Sequence, residues 1–286
     1  MIAQNFDYAT PVSLAEAFDL LNDPGSKVLA GGMSLIPMMK LRLAAPGKVV
    51  DLRHVPGLSK IQQDGGMLRI GAMTTHHEIE STPLVRSACP LLAQAAAAIG
   101  DVQVRNVGTL GGSIAHADPS ADYPAALQAL EAEIRIAHRG GERTVVAKDF
   151  FQDTFTTALE PNELIVEISV PVEANSTGTS YQKMLQPASG FAIVGVAARV
   201  AMEGGKVSMV RVGVTGLGGS SYRATNVEAL LLGSDGSAAD IGKSAEVVAD
   251  GIDANGDIHA SAEYRAHLAR VYTARALSAA MAGAEA

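Results

Sequence analysis

Two Gly-Gly segments carry the residue types in this sequence that are best suited to holding a ligand. The run from Ala30 to Pro37 contains Gly31-Gly32 and Ser34, and the run from Thr109 to Ser113 contains Gly111-Gly112. Glycine lets a backbone approach a ligand closely, and exposed N–H groups ahead of a helix favour phosphate. Two such segments with nearby hydroxyls predict a diphosphate cradle, although each pair is equally the pattern of a tight turn.

Other patterns associated with chemistry match only in part. Gly242-Lys243-Ser244 resembles the end of a P-loop, but Ser237 occupies the position where that motif requires its first glycine. The adjacent His76 and His77 would diverge by about 100° on a helix, so they could not bind one metal from the same face. The single cysteine, Cys89, excludes an internal disulfide and a cysteine-based metal or iron–sulfur site. We therefore expect no metal site and no catalytic acid–base pair on this chain.

Composition narrows the class of protein. The chain has 286 residues, of which 48% are hydrophobic and 18% charged, and its formal net charge is −8. An acidic balance argues against nucleic-acid binding and against a polybasic membrane-surface protein. The most apolar stretch, 191–202, contains Gly195 and Arg199 and is shorter than the ~20 residues that span a bilayer. With one cysteine and no signal-peptide pattern in residues 1–21, we expect a cytoplasmic protein.

The sequence around the Gly-Gly segments predicts strands and helices. Around the first Gly-Gly pair the pattern predicts a strand over 27–30, a helix capped by Ser34 and continuing through Leu43, and a strand over 48–52. Further on, Gly140-Gly141 separates two strand patterns and indicates a hairpin.

The second half of the sequence indicates a separate unit. Residues 172–178 have the composition of a linker. Beyond them the sequence predicts strands over 179–185, 191–202 and 206–215, then helices over 225–232, 238–252 and 261–281. Strands and helices in separate runs indicate an α+β fold.

The two Gly-Gly segments also carry a family resemblance. Ala30–Lys40 (AGGMSLIPMMK) resembles the first flavin motif of the FAD-binding medium subunits of molybdenum hydroxylases, a family that includes carbon monoxide and xanthine dehydrogenases. Arg105–Ser113 (RNVGTLGGS) is similar to the second flavin motif, and Ala117–Pro124 continues it in register. The resemblance extends over the whole chain.

The resemblance implies a fold of three parts. Residues 1–56 and 57–174 would form the two halves of an FAD-binding domain of the vanillyl-alcohol-oxidase type, which is PCMH-like. Residues 175–286 would form a C-terminal α+β domain like that of the carbon monoxide dehydrogenase flavoprotein.

The resemblance also implies the residues that bind FAD. The FAD pyrophosphate would be wrapped by Ala30, Gly31, Gly32, Met33, Ser34, Leu35, Ile36, Pro37, Thr109, Leu110, Gly111, Gly112 and Ser113. Asp122 would bond the ribityl or adenosine part, and Lys183 and Phe191 match positions near the flavin. Two alternatives stay open: Lys183 as a solvated strand lysine, and Phe191 as a core aromatic that opens a buried strand.

In this family the medium subunit relays electrons and does not oxidise the substrate. The resemblance implies a large molybdopterin subunit, a small subunit with two [2Fe–2S] clusters, a dimer of heterotrimers, and an external electron acceptor. His116-Ala117-Asp118 resembles relatives that act on N-heteroaromatic compounds, so we expect the complex to hydroxylate such a compound or to oxidise an aldehyde.

Three other functions stay open for this sequence. The chain could be the medium subunit of a carbon monoxide dehydrogenase, or a stand-alone FAD oxidase, although it lacks an appended substrate domain and a pattern for covalent flavin attachment. It could also be a flavin-free scaffold with the same fold. Against a scaffold, we reason that only a ligand would require two Gly-Gly pairs.

Overall fold

The computed structural model describes residues 2–284, and it begins with a small parallel sheet. Strands β1 and β2 both pair parallel with β3, so the order is β1-β3-β2. The elements of this part are β1 (Asp7–Ala9), α1 (Leu14–Leu21), β2 (Ser26–Leu29), α2 (Leu35–Lys40), β3 (Lys48–Asp51) and a 3₁₀ turn (Leu52–His54).

Helix α2 differs from the sequence prediction at both ends. Ser34 already has a helical backbone (φ −100°, ψ −50°), whereas a capping residue is extended, and its side chain makes no capping hydrogen bond. The predicted Ser34 cap is therefore wrong. The helix ends at Lys40 and not at Leu43, since Arg42 adopts a left-handed conformation (φ 62°).

A five-stranded antiparallel sheet with helices packed on it forms the second part. Its strand order is β4-β5-β10-β6-β7, and a separate two-stranded ribbon joins β8 and β9. The hairpin at Gly140-Gly141 is confirmed, with His138 paired to Gly141. The elements are β4 (Ile61–Asp64), β5 (Met67–Gly71), α3 (His76–Ser81), α4 (Pro83–Ala88), α5 (Pro90–Ala97), α6 (Val102–Val107), α7 (Leu110–His116), α8 (Asp122–Ala129), β6 (Glu133–His138), β7 (Gly141–Val146), α9 (Ala147–Phe150), β8 (Phe151–Asp153), β9 (Thr156–Thr157) and β10 (Leu164–Pro171).

The third part is an antiparallel sheet followed by helices, as the sequence predicts. The strand order is β11-β12-β13-β14. Helix α11 stops at Glu246, so the prediction of a helix to residue 252 is too long. The elements are β11 (Thr177–Leu185), β12 (Ala192–Glu203), β13 (Lys206–Thr215), β14 (Tyr222–Arg223), α10 (Thr225–Leu231), α11 (Ala238–Glu246) and α12 (Ala262–Ala284). The strand and helix runs confirm the α+β class.

Helix α8 joins the second and third parts. All eight of its residues are buried, including the polar Asp122 and Gln128. A Cβ at Gly213 of β13 would collide with the backbone carbonyl of Ala125, so the helix and the sheet are in direct backbone contact. This contact holds the beginning of α8, and with it Asp122, at a fixed place between the two parts.

Two features are absent from the part of the chain that the structure describes. Between residues 2 and 284, no helix combines the length and the apolar character needed to cross a bilayer. Over the same residues, no three His, Cys, Asp or Glu side chains are grouped so that they could hold a metal ion.

Candidate cofactor site

A cavity of about 490 Å³ lies where the three parts of the chain meet. One wall, here called the first wall, consists of residues 30–35. The opposite or second wall is the segment 104–113, whose lining residues are Val104, Gly108, Thr109, Gly112 and Ser113. The other lining residues come from β2, α2, the loop before β3, the start of α3, the loop after α5, the segment from the end of α7 to the start of α8, and the turn between β11 and β12. They include Lys27, Val28, Met38, Ala44, His76, Ile99, Gly100, Ala115, His116, Asp118, Ala121, Asp122, Ser189, Gly190 and Phe191. The size is typical of a small-molecule or cofactor site.

The first wall presents free backbone donors. Gly32 has φ +75°, which an L side chain rarely adopts, and it turns the chain from β2 into α2. The N–H groups of Gly32, Met33, Ser34 and Leu35 have no hydrogen-bond partner within residues 2–284. Successive N–H groups of this kind form a concave surface suited to an anion such as a diphosphate.

The second wall is built differently, because Gly111-Gly112 lies inside the first turn of α7 and not in a loop. The Leu110 N–H donates to the Thr74 carbonyl (3.0 Å) and the Gly111 N–H to the Ala72 carbonyl (2.8 Å). The Thr109 hydroxyl accepts from the Gly112 N–H at 3.2 Å. The N–H groups that a helix start leaves free are thus already paired within the protein, and the expectation of exposed donors here is wrong.

Packing explains one glycine of each pair. A Cβ on Gly31 would collide with the backbone carbonyl of Val107, and a Cβ on Gly111 would lie 2.5 Å from the Ala72 Cβ. Close approach of backbone to backbone therefore requires these two glycines whether or not a ligand binds. This corrects the argument that only a ligand would require both pairs.

Asp122 reaches the cavity and is held from the third part of the chain. Its carboxylate accepts hydrogen bonds from the Tyr181 hydroxyl (2.6 Å) and from Lys183 Nζ (3.0 Å), and Lys183 also donates to the Ala98 carbonyl (2.8 Å). The Lys183 side chain is only 6% exposed, so its interpretation as a solvated strand lysine is wrong. Burial raises the pKa of Asp122 to about 6, against the opposing effect of Lys183.

Phe191 is an exposed residue of the cavity lining. It precedes β12, is 41% exposed, and follows Ser189 and Gly190 along the cavity lining. The interpretation as a core aromatic is therefore wrong. An aromatic ring at a cavity edge can pack against a planar ligand.

The structure brings most of the predicted site residues together. Ala30, Gly31, Gly32, Met33, Ser34, Leu35, Thr109, Gly112, Ser113, Asp122 and Phe191 all line the cavity. Ile36 and Pro37 do not, and Ile36 borders a separate groove on the other face of α2. Leu110 and Gly111 are buried beneath the second wall, and Lys183 lies behind Asp122.

Sequence reasoning missed several lining residues. Lys27 and Val28 directly precede the first motif, and a strand leading into a glycine turn was the available signal for them. Ile99 and Gly100 follow α5, and no local signal marks them because the fold brings that loop to the cavity. The adjacent His76 and His77 suggest only a metal site, so this pattern does not mark His76 as a lining residue.

These residues fit FAD. The free N–H groups of residues 32–35 suit its diphosphate, and the exposed ring of Phe191 suits a planar ring system. Lys27 adds a cation to the lining.

Comparison with known proteins agrees with this fit. Residues 4–173 match the FAD binding domain in molybdopterin dehydrogenase, and residues 179–280 match the CO dehydrogenase flavoprotein C-terminal domain. The chain belongs to the family of FAD-binding medium subunits of molybdenum hydroxylases. It is accordingly an oxidoreductase subunit with FAD as its cofactor.

Three relatives illustrate the range of the family. The carbon monoxide dehydrogenase medium chain of Hydrogenophaga pseudoflava is 39% identical over 284 residues, 99% of each chain. The nicotine 6-hydroxylase medium subunit of Paenarthrobacter nicotinovorans is 37% identical over 259 residues, covering 90% of this chain and 91% of that protein. A chain of quinoline 2-oxidoreductase from Pseudomonas putida 86 superposes with a TM-score of 0.95 at 34% identity, covering 100% of both chains.

Proposed function

We propose that this chain holds FAD in the cavity between its two walls and serves there as the electron-transfer subunit of a molybdenum hydroxylase complex. The observation that carries the proposal is the row of unpartnered N–H groups from Gly32 to Leu35, which faces a cavity closed on the other side by residues 104–113. When bound, FAD supplies the electron chemistry, accepting electrons singly or in pairs.

The residues of the chain then have distinct tasks. The N–H groups of residues 32–35 bind the diphosphate, and Ser113 offers a hydroxyl from the second wall. Asp122, fixed by Tyr181 and Lys183, bonds the ribityl or adenosine part. Phe191 shields one end of the cavity from water. Together these contacts orient the cofactor and set the polarity around it, and none of them needs to transform a substrate.

The partners follow from the family to which the chain belongs. We propose a large molybdopterin subunit that oxidises the substrate, and a small subunit whose two [2Fe–2S] clusters deliver electrons to this chain. The assembly would be a cytoplasmic dimer of heterotrimers that passes its electrons to an external acceptor. Within this chain, we propose functional boundaries at 1–56, 57–174 and 175–286.

For the substrate we propose an N-heteroaromatic compound, with an aldehyde as the alternative class. His116 and Asp118, which motivated that expectation, both lie on the cavity lining. Two of the relatives are named for nitrogen heterocycles, nicotine and quinoline. The similarity to a carbon monoxide dehydrogenase medium chain is equally high, so the assay includes carbon monoxide.

The test is native purification of the complex through this chain. We expect flavin and iron–sulfur absorption, two co-purifying chains, and turnover of a nitrogen heterocycle. Flavin alone with turnover by this chain would favour a stand-alone oxidase, and no flavin even after FAD addition would favour a scaffold. Carbon monoxide as the best substrate would contradict the proposed substrate class.

The position of the diphosphate is tested separately by Gly112→Leu. A Leu side chain at this position would point into the cavity beside Ala30, so we expect the FAD content of the purified complex to fall below about one tenth of the wild-type value. Gly66→Leu is the control, because a Cβ there meets nothing within 4 Å. Wild-type FAD content in Gly112→Leu would contradict the assignment.

A further inference from the structure

His76 is buried beside the cavity. Since His76 and His77 do not form a metal site, His76 has no role assigned so far. The residue is 4% exposed, and its ring packs edge-on against Tyr123, with 5.2 Å between ring centroids. His76 Nδ1 lies 3.1 Å from the Tyr123 hydroxyl oxygen. The neighbouring His77 is exposed.

The environment of Tyr123 determines which nitrogen of His76 carries the proton. Tyr123 is fully buried, and within residues 2–284 its hydroxyl has only His76 Nδ1 as a side-chain partner. A buried hydroxyl proton left without an acceptor is costly, so the hydroxyl donates and Nδ1 accepts. Burial, reinforced by the Arg105 charge, lowers the pKa of His76 to about 4, so the ring is neutral and its one proton lies on Nε2.

The Nε2 edge of the His76 ring lies against Gly108 in the second wall. A Cβ on Gly108 would lie 2.6 Å from His76 Nε2, so the missing side chain of Gly108 leaves this nitrogen uncovered. Both residues line the cavity, and Nε2 has no hydrogen-bond partner within the described part of the chain. The backbone N–H of His76 donates to the Gly108 carbonyl at 2.9 Å, which ties the beginning of α3 to the wall.

This placement matters because the second wall otherwise lacks free main-chain donors at its helix start. The N–H groups of Leu110, Gly111 and Gly112 are all paired within the protein. A further side-chain donor would therefore add to what the Thr109 and Ser113 hydroxyls offer an oxygen-rich ligand at this wall. His76 supplies one that is buried, neutral and fixed in direction.

We propose that His76 Nε2–H donates a hydrogen bond to an oxygen of the bound FAD at the second wall, and that Tyr123 is a positioning residue that fixes the donor tautomer. The inference rests on the proposed FAD site and adds a binding residue to it. The contact would lie on the diphosphate or the adjoining ribityl chain, since Gly108 is next to Thr109 at the wall.

The test is the rate at which FAD dissociates from the purified complex, followed by the fluorescence of released FAD. We expect His76→Phe, which keeps a ring but removes the donor, to release FAD about ten- to a hundredfold faster, as expected for a hydrogen bond to a charged group. His76→Gln restores an N–H donor and should remain within about fivefold of wild type. His77→Gln is the matched control and should release FAD at the wild-type rate.

Tyr123→Phe keeps the His76 ring and frees its tautomer, so it tests the proposal even if His76→Phe does not fold. We expect FAD release about three- to tenfold faster than in wild type. Wild-type release from both His76→Phe and Tyr123→Phe would overturn the proposal, as would equal acceleration by His76→Phe and His76→Gln in step with lowered melting temperatures. A wild-type complex without FAD would instead refute the proposed function itself.

Discussion

The two walls of the cavity carry the same dipeptide and use it in opposite ways. In the first wall, Gly31-Gly32 forms a turn whose following N–H groups stay unpaired. In the second wall, Gly111-Gly112 belongs to a helix whose first N–H groups are all paired within the protein. The first wall therefore offers a row of free backbone donors, whereas the start of α7 in the second wall offers side chains.

Within each pair the two glycines also differ. Gly31 and Gly111 are the positions where one backbone lies directly on another, whereas a Cβ on Gly32 or Gly112 would meet only side-chain atoms. Backbone packing thus requires one glycine of each pair, and the proposed binding role falls to the other. The difference can be tested one glycine at a time.

The largest effect is expected from Gly31→Ala, which would separate the two walls. The added Cβ meets the backbone carbonyl of Val107, which cannot move aside as a flexible side chain would. We expect a loss of about 3 kcal/mol or more in the free energy of unfolding, at the upper end for overpacking. Chemical unfolding of the full chain measures it. Gly66→Ala, where a Cβ meets nothing within 4 Å, is the control, and equal stability of the two variants would contradict the packing role.

Gly111→Ala should cost somewhat less, about 2 kcal/mol, because the contact atoms include the Ala72 side chain as well as its carbonyl. The control is another helical glycine, Gly242 of α11, around which a built Cβ finds open space. Gly242→Ala should stabilise the chain by about 0.5 kcal/mol or more, since alanine favours a helix over glycine. If both substitutions stabilise, Gly111 is not a packing glycine.

The comparison of the two walls also shows which features can be predicted from local sequence patterns. The strand and helix runs and the Gly140-Gly141 hairpin follow from local patterns that the structure confirms, and both Gly-Gly segments contribute residues to one cavity. The pairing of Asp122 with Lys183 does not, because these residues are 61 positions apart and meet only through the packing of α8 on the third part of the chain.

The dependence on distant contacts also explains why the sequence did not predict that Gly111-Gly112 lies in a helix. Whether Gly111-Gly112 is a turn or a helix start depends on Thr74 and Ala72, whose carbonyls receive the N–H groups of α7. Likewise, His76 reaches the second wall because the beginning of α3 is bonded to Gly108. Hydrogen bonds between distant segments leave no periodic signal in a sequence.

The next prediction concerns the pH dependence of the unfolding free energy, which arises from His76 beside the second wall. The pKa of His76 in the folded chain is about 4, below its ordinary value of 6.5. The unfolded chain therefore binds the proton more readily, so the stabilising contribution is complete above pH 6.5 and is lost as the pH falls to about 4. In chemical unfolding, wild type should lose about 2–3 kcal/mol relative to His76→Gln between pH 7 and pH 4. A constant difference between the two proteins would show that His76 titrates normally.

The smallest effect separates the two hydroxyls that precede the helices of the walls. The Thr109 side chain accepts from the Gly112 N–H, whereas Ser34 makes no capping bond. Thr109→Ala should therefore cost about 1 kcal/mol of unfolding free energy, and Ser34→Ala less than about 0.5 kcal/mol. If Ser34 lies beside the diphosphate, FAD content should fall more in Ser34→Ala than in Thr109→Ala. Loss of the Ser34 hydroxyl would remove a contact to FAD and leave α2 intact, because this hydroxyl does not cap the helix. Equal stability losses, or FAD loss in Thr109→Ala alone, would mean that the two walls do not divide binding and packing between them.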